Sequence, residues 1–120
     1  MAKKTLTTNK VLFDTIRDLK KVASKTGTSV FRAVADDLSG SASQRAQVNL
    51  DKLERLTKDG EKIIIPGKVL GDGVFNKKIT VVAFNASDSA IEKLEKAGSK
   101  FIKIKDYIAK SPDTKIRIVK

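Results

Sequence analysis

The stretch most suggestive of chemistry is Gly67-Lys68-Val69-Leu70-Gly71-Asp72-Gly73, three glycines and a lysine in seven residues. Glycine-rich loops cradle phosphates because their backbone amides can approach an anion with no Cβ in the way. A P-loop needs Gly, four residues, then Gly-Lys-Ser/Thr opening a helix, whereas Gly71 is followed by Asp72 and the residues downstream read as strand. The dinucleotide fingerprint fails for the same reason, since its third glycine must open the helix that holds the pyrophosphate. The glycines are therefore read structurally. Gly71-Asp72-Gly73 permits a tight turn with positive φ, and Gly67 permits close backbone approach. Lys68, held in such a loop, is suited to meet a phosphate rather than to react.

Paired carboxylates are the next candidates, because general acid–base catalysis needs two with different environments. Asp36-Asp37 and Glu92 with Glu95 qualify by spacing, but the second pair is interleaved with Lys93 and Lys96 on a polar helix face. Both read as solvated charge. No run has the spacing of a calcium loop. The chain contains no histidine and no cysteine, which removes disulfides, thiolate or imidazole metal sites, cysteine nucleophiles and every triad with a histidine base. Serine and threonine hydroxyls are plentiful without such a base; composition leaves a Ser-Lys dyad open, and nothing selects one. No metal, no cofactor and no small-molecule substrate are expected, and the chain is read as a non-enzyme.

What remains is charge. Lys and Arg number 25 against 14 Asp and Glu, a formal net charge of +11 on 120 residues. Residues 1–27 balance at +5, 28–60 at zero, 61–80 at +2, 81–98 at −1 and 99–120 at +5. Two basic ends around a neutral middle predict localised positive patches and a polyanionic partner. The aromatic inventory bears on which polyanion. Single-strand binders stack bases on several rings, and here there are five Phe, one Tyr and no Trp, with Phe31, Phe84 and Phe101 at core-like positions. Phosphate contacts to folded RNA or a duplex need no rings, so they are favoured over stacking. Arg45, Asn49, Lys52 and Arg55 form one plausible contact set. No apolar run approaches the ~20 residues that span a bilayer, and the first ten residues lack the apolar segment of a secretory signal. A soluble, cytoplasmic protein with no membrane partner is expected.

These side chains must be positioned by one domain, since 120 residues build one core. Met1 to Thr8 reads as a basic, flexible arm (1–8) ahead of a single domain (9–120), helical over 9–60 and mixed over 61–120. From Asn9 as cap, Leu12, Ile16, Leu19 and Val22-Ala23 recur at helical spacing and stop at Thr26-Gly27, with Arg17, Lys20 and Lys21 off the buried face. A second helix runs from Thr28 or Ser29 to Leu38, closed by Ser39-Gly40 and a loop at Ser41 to Ser43. A third begins near Asn49, with Leu50, Leu53 and Leu56 on one face, and ends at Asp59-Gly60. Up to that point the chain reads as all-α. Ile63-Ile64-Ile65, between Gly60 and Pro66, predicts a buried strand, followed by a glycine loop over 67–73 and a second strand from Lys78 to Phe84. Asn85 or Ser87 caps a helix through Ala90, Ile91, Leu94 and Ala97, which ends at Gly98. Lys100 to Lys103 predicts a strand, Ile104 to Lys110 a short helix stopped before Pro112, and Lys115 to Val119 a final strand. The fold class is α/β.

Ile65 to Gly73, Ile79 to Phe84, Ser87 to Lys93, Arg45 to Leu50 with Leu53-Glu54-Arg55, and the opening Thr8-Asn9 together resemble one family in order along the whole chain. It is the archaeal and eukaryotic "eighteen-e" family of large-subunit ribosomal proteins, relatives of bacterial ribosomal protein L-fifteen; the compact archaeal form matches best in length. The resemblance implies a non-enzymatic constituent of the large ribosomal subunit, supporting translation, bound to large-subunit rRNA and neighbouring ribosomal proteins. It also implies an irregular α/β fold in which N-terminal helices lead into a strand–helix superhelical core. The resulting candidate RNA contacts are Lys3, Lys4, Asn9, Lys10, Arg17, Lys20, Lys21, Arg32, Arg45, Asn49, Lys52, Arg55 and Lys68. Two departures stand out. Lys10 replaces a proline common in the family, and Gly40-Ser41-Ala42-Ser43 replaces a basic cluster, which moves the expected contact from that loop towards the arm. The alternative from another class is an architectural, chromatin-like nucleic-acid-binding protein.

Overall fold

The computed structural model describes residues 2–27, 29–40, 46–109 and 115–120, with residues 2–9 described by their backbone alone. In chain order the elements are α1 (Ala2–Thr26), α2 (Ser29–Leu38), β1 (Ala46–Asn49), α3 (Leu50–Leu56), β2 (Lys62–Leu70), β3 (Thr80–Ala86), α4 (Asp88–Ala97), β4 (Lys100–Lys103), α5 (Ile104–Ala109) and β5 (Arg117–Ile118). All strand pairs are parallel, in the order β1-β2-β3-β4. One edge of β2 is shared: its start pairs with β5 (Ile63 with Arg117, Ile64 with Ile118) and its end with β1 (Gly67 with Ala46 through Leu70 with Asn49).

The apolar run at Ile63-Ile64-Ile65 is continuous because both faces of this sheet are covered. Successive strand side chains point to opposite faces. Ile63 and Ile65 pack with Val81, Ala83, Val48 and Val69 against Leu50 and Leu53 of α3 and Ala90 and Leu94 of α4. Ile64 and Val82 pack on the other face against Leu12 and Leu19 of α1, Phe31, Val34 and Leu38 of α2, and Ile104 and Ile108 of α5. The protein is thus three layers, with α3 and α4 on one side of the sheet and α1, α2 and α5 on the other. Its radius of gyration, 14.0 Å, is close to the ~13.6 Å expected of one compact domain of this length.

The α/β class is as expected, with N-terminal helices leading into alternating strands and helices. Several elements are where the sequence places them. Ser87 caps α4, its Oγ accepting from the Ala90 N–H, and Gly98 ends that helix in the left-handed region at φ +86°. Four differences have physical causes. The backbone is helical from Ala2, where a flexible arm to Thr8 and a cap at Asn9 were expected; no glycine or proline interrupts 2–26, so the helical stretch extends back. The third helix is preceded by strand β1, so the N-terminal half is not all-α. Four residues with one buried side chain, Val48, are too short a pattern to read by alternation.

Strand β2 does not end at Pro66 but runs on through Gly67 to Leu70, which makes the expected 67–73 loop begin only at Gly71. Between Ile65 and Lys68 the register against β3 shifts: two residues, Pro66 and Gly67, stand against the single Phe84. A bulge is the one place inside a sheet where proline's missing N–H costs no ladder bond. Finally, β2 and β3 are joined without a helix. Residues 71–79 return over about 26 Å at ~3.3 Å per residue, so they must run extended. They lie along α3, where the Asp51 N–H donates to the Asp72 carbonyl (3.0 Å) and the Asn76 N–H to Glu54 Oε2 (3.3 Å). The expected cap at Thr28, the loop at Ser41 to Ser43 and the stop between Lys110 and Pro112 lie outside the described residues.

Candidate nucleic-acid interface

The basic residues divide by whether the fold already uses their charge. Lys52 Nζ donates to the Lys120 carbonyl (2.6 Å), and Lys93 Nζ to the Gly71 and Gly73 carbonyls (2.6 and 3.0 Å). Lys77 donates to the carbonyls of Glu54 and Thr57. Arg117 bridges the Leu56 carbonyl (2.6 Å) and Glu61 (3.1 Å), Lys120 pairs with Asp37 (2.9 Å), and Lys96 with Glu92 (3.1 Å). Diverting Lys77 or Lys93 to an outside phosphate would leave carbonyls without their donor, a cost that keeps them in place. These committed bases cluster on the α3 and α4 side and along the C-terminal strand.

The uncommitted bases lie elsewhere. On α1, Lys10, Arg17, Lys20, Lys21 and Lys25 are exposed, and the three- and four-residue spacing of Lys10, Arg17, Lys20 and Lys21 puts these four on one stripe. Arg17, Lys20, Lys21, Ser24 and Lys25 line a shallow groove of about 540 Å³. Arg17 leans on Asp14 (3.4 Å) and Asp18 (3.7 Å); long, exposed pairs like these are worth little and exchange readily for a phosphate.

A second group sits at the carboxyl ends of the strands, where open parallel sheets collect ligands. Gln47, Lys68 and Asn85 are in register across β1, β2 and β3, and all three are exposed. Beside them a cleft of about 480 Å³ is lined by Val11 and Thr15 of α1, Phe84 and Asn85 of β3, and Lys103, Lys105 and Asp106 at the junction of β4 and α5. The two basic ends of the sequence meet across this cleft.

Of the sequence candidates, the structure brings Lys10, Arg17, Lys20 and Lys21 together on α1 and places Lys68 in the carboxyl-end row. Arg32 is exposed on α2, in the same layer as α1. Lys3, Lys4 and Asn9 belong to the first turns of α1, by backbone only. Arg45 lies outside the described residues. Asn49, Lys52 and Arg55 do not join the group, because α3 is on the opposite layer. Asn49 makes no side-chain cap to α3 and its Oδ1 is buried without a hydrogen-bond partner, Lys52 is committed, and Arg55 stands 3.8 Å from Asp51. Sequence reading missed Lys25, Gln47, Asn85, Lys103 and Lys105. For Asn85, Lys103 and Lys105 a signal was present, as each flanks the end of a predicted strand.

Among the described residues no cluster of three or more acidic side chains could hold a metal ion, and no helix is long and apolar enough to cross a membrane. A layered α/β domain with uncommitted cations on one side and no assembled catalytic group is a binding protein by construction. The family model of ribosomal proteins 50S-L15, 50S-L18e and their 60S counterpart matches residues 15–102, and the chain belongs to that family, one of ribosomal components and not of enzymes. Among its relatives, large ribosomal subunit protein eL18 of Picrophilus torridus is 42% identical over 114 residues, covering 94% of this chain and 93% of the relative. The eL18 proteins of Methanopyrus kandleri (41% over 118 residues, 93% of each chain) and Halobacterium salinarum (39% over 106 residues, 88% and 91%) are similar to it over nearly the same span.

Proposed function

We propose that this protein is a structural constituent of the large ribosomal subunit, in the cytoplasm, that binds large-subunit rRNA through lysine and arginine contacts to phosphates and so holds that RNA in shape for translation. Neighbouring ribosomal proteins are its other partners. The observation that carries the reading is the meeting of the two basic ends of the chain on one side of the sheet. α1 bears seven bases, from Lys3 to Lys25, against Asp14 and Asp18, while α4 in the opposite layer bears Lys93 and Lys96 against Asp88, Glu92 and Glu95. The names of the relatives support the same assignment. The contacts proposed are Lys3, Lys4, Asn9, Lys10, Arg17, Lys20, Lys21, Arg32, Arg45 and Lys68, joined by Lys103 and Lys105.

A competition assay tests this. Labelled large-subunit rRNA bound to the protein at fixed salt should be displaced by unlabelled rRNA and far less by the same mass of duplex DNA. Equal displacement by DNA would favour the architectural alternative instead. Within the site, Lys68→Glu is expected to weaken rRNA binding and to make its log–log salt dependence shallower by about one. Because Lys68 is exposed, the melting stability of the free protein should change by no more than ~0.5 kcal/mol. A matching loss of stability would make Lys68 a residue of the fold.

A further inference from the structure

Of the five phenylalanines, Phe31 and Phe75 are buried and Phe84 and Phe101 are half-buried against the cores, but Phe13 is 67% exposed and belongs to neither core. It lies on α1 off the buried stripe of Leu12, Ile16 and Leu19. The residues three before and four after it, Lys10 and Arg17, are its neighbours on the helix surface, and Lys20 and Lys21 continue the stripe one turn on. Lys10 and Arg17 are separated by about 10 Å along the helix axis at 1.5 Å per residue, so one cation stands on each side of the ring. An exposed aromatic between two cations is the arrangement that holds a single unpaired nucleotide: the ring offers a face to the base while the cations meet the flanking phosphates.

We infer that Phe13 is a stacking platform for one unpaired base of the bound RNA, with Lys10 and Arg17 on the phosphates to either side. This rests on the rRNA-binding reading and goes beyond it. It departs from the expectation, drawn from composition, that recognition would use phosphates without stacking. A base inside a helix has both faces covered and cannot use such a platform, so the nucleotide comes from a loop, bulge or junction. A protein partner is the other occupant an exposed ring could take. Charge complementarity argues against it, because an apolar protein surface seated on Phe13 would have to strip water from the Lys10 and Arg17 head groups without replacing it.

The chain contains no tryptophan, so Phe13→Trp introduces a single indole at the position in question. With the whole protein and transcribed large-subunit rRNA, Phe13→Trp should bind as well as the natural protein or better, and its fluorescence should be quenched in step with binding. Phe13→Ala and Phe13→Leu should each bind about ten- to a hundredfold more weakly. Their salt slope should be unchanged, because no phosphate contact is lost, and they should melt as the natural protein does. Binding by Phe13→Ala and Phe13→Leu equal to that of the natural protein would overturn the inference while leaving rRNA binding intact. So would full binding by Phe13→Leu alone, which would mean an apolar contact and not stacking. A blue-shifted indole that rRNA does not quench would point to a protein partner and overturn it too. If the natural protein itself fails to bind rRNA, both this inference and the proposed function fall.

Discussion

Gly67→Val should destabilise the free protein by about 3–5 kcal/mol and lower its melting temperature by roughly 10–20 °C in a circular-dichroism melt. A Cβ at this position would stand 1.9 Å from the Ala46 carbonyl oxygen and 2.8 and 2.9 Å from the Ala46 C and N. All three are backbone atoms, so nothing there can rotate out of the way. The ladder between β1 and β2 begins at this pair and runs to Asn49 opposite Leu70, so relief requires β1 to part from β2. That forfeits ladder hydrogen bonds worth about 1 kcal/mol each and uncovers Val48 and Val69. A control isolates this cause. Gly60, at φ +88°, has open space where its Cβ would go, so Gly60→Ala bears only the cost of a left-handed conformation, ~1–2 kcal/mol. If Gly67→Val melts no lower than Gly60→Ala, the pairing of β1 with β2 is wrong.

Raising salt from 50 to 200 mM should weaken rRNA binding by about a thousandfold, the effect expected when some six phosphates are neutralised and their counterions released. The uncommitted cations of α1, with Lys68, Lys103 and Lys105, suffice for that number. The division of bases into committed and uncommitted sharpens the expectation. Converting Lys20 and Lys21 together to Gln should lower the magnitude of the log–log slope by about two without moving the melting temperature. Lys93→Gln should do the reverse. It removes a charged donor from the Gly71 and Gly73 carbonyls and should cost about 1.5–3 kcal/mol of stability while leaving the slope alone. The slope is read from equilibrium binding across a series of salt concentrations. A flat dependence would contradict recognition through phosphates.

Much of the fold was legible because local chemistry specified it. The helical spacing of Leu12, Ile16 and Leu19, the Ser87 cap, Gly98 and the triple isoleucine each carry their own instruction. What was not legible depended on a partner distant in sequence. Ala46 to Asn49 is a strand only because β2 offers it an edge, and Pro66 is tolerated inside β2 only because of the bulge opposite Phe84. The site divides in the same way. The α1 bases could be grouped from spacing alone, and Lys68 from its glycine neighbours. Whether Lys52 was free could not be read, because the carbonyl it holds is that of Lys120, at the far end of the chain. The exposure of Phe13 was hidden for a related reason: composition counts rings, and only packing decides which of them stay outside.

Membership in the ribosomal protein family, with uncommitted cations gathered on one side of the domain, makes a central claim that one measurement addresses directly. A lysate of cells expressing the tagged protein is separated on a density gradient at moderate salt and millimolar magnesium, and the protein is followed by immunoblot. The account predicts that it migrates with the large ribosomal subunit and with assembled ribosomes, and moves to the top of the gradient when the subunits are stripped in high salt. Finding it at the top under moderate salt, or in nuclease-sensitive fractions with DNA, would contradict that account.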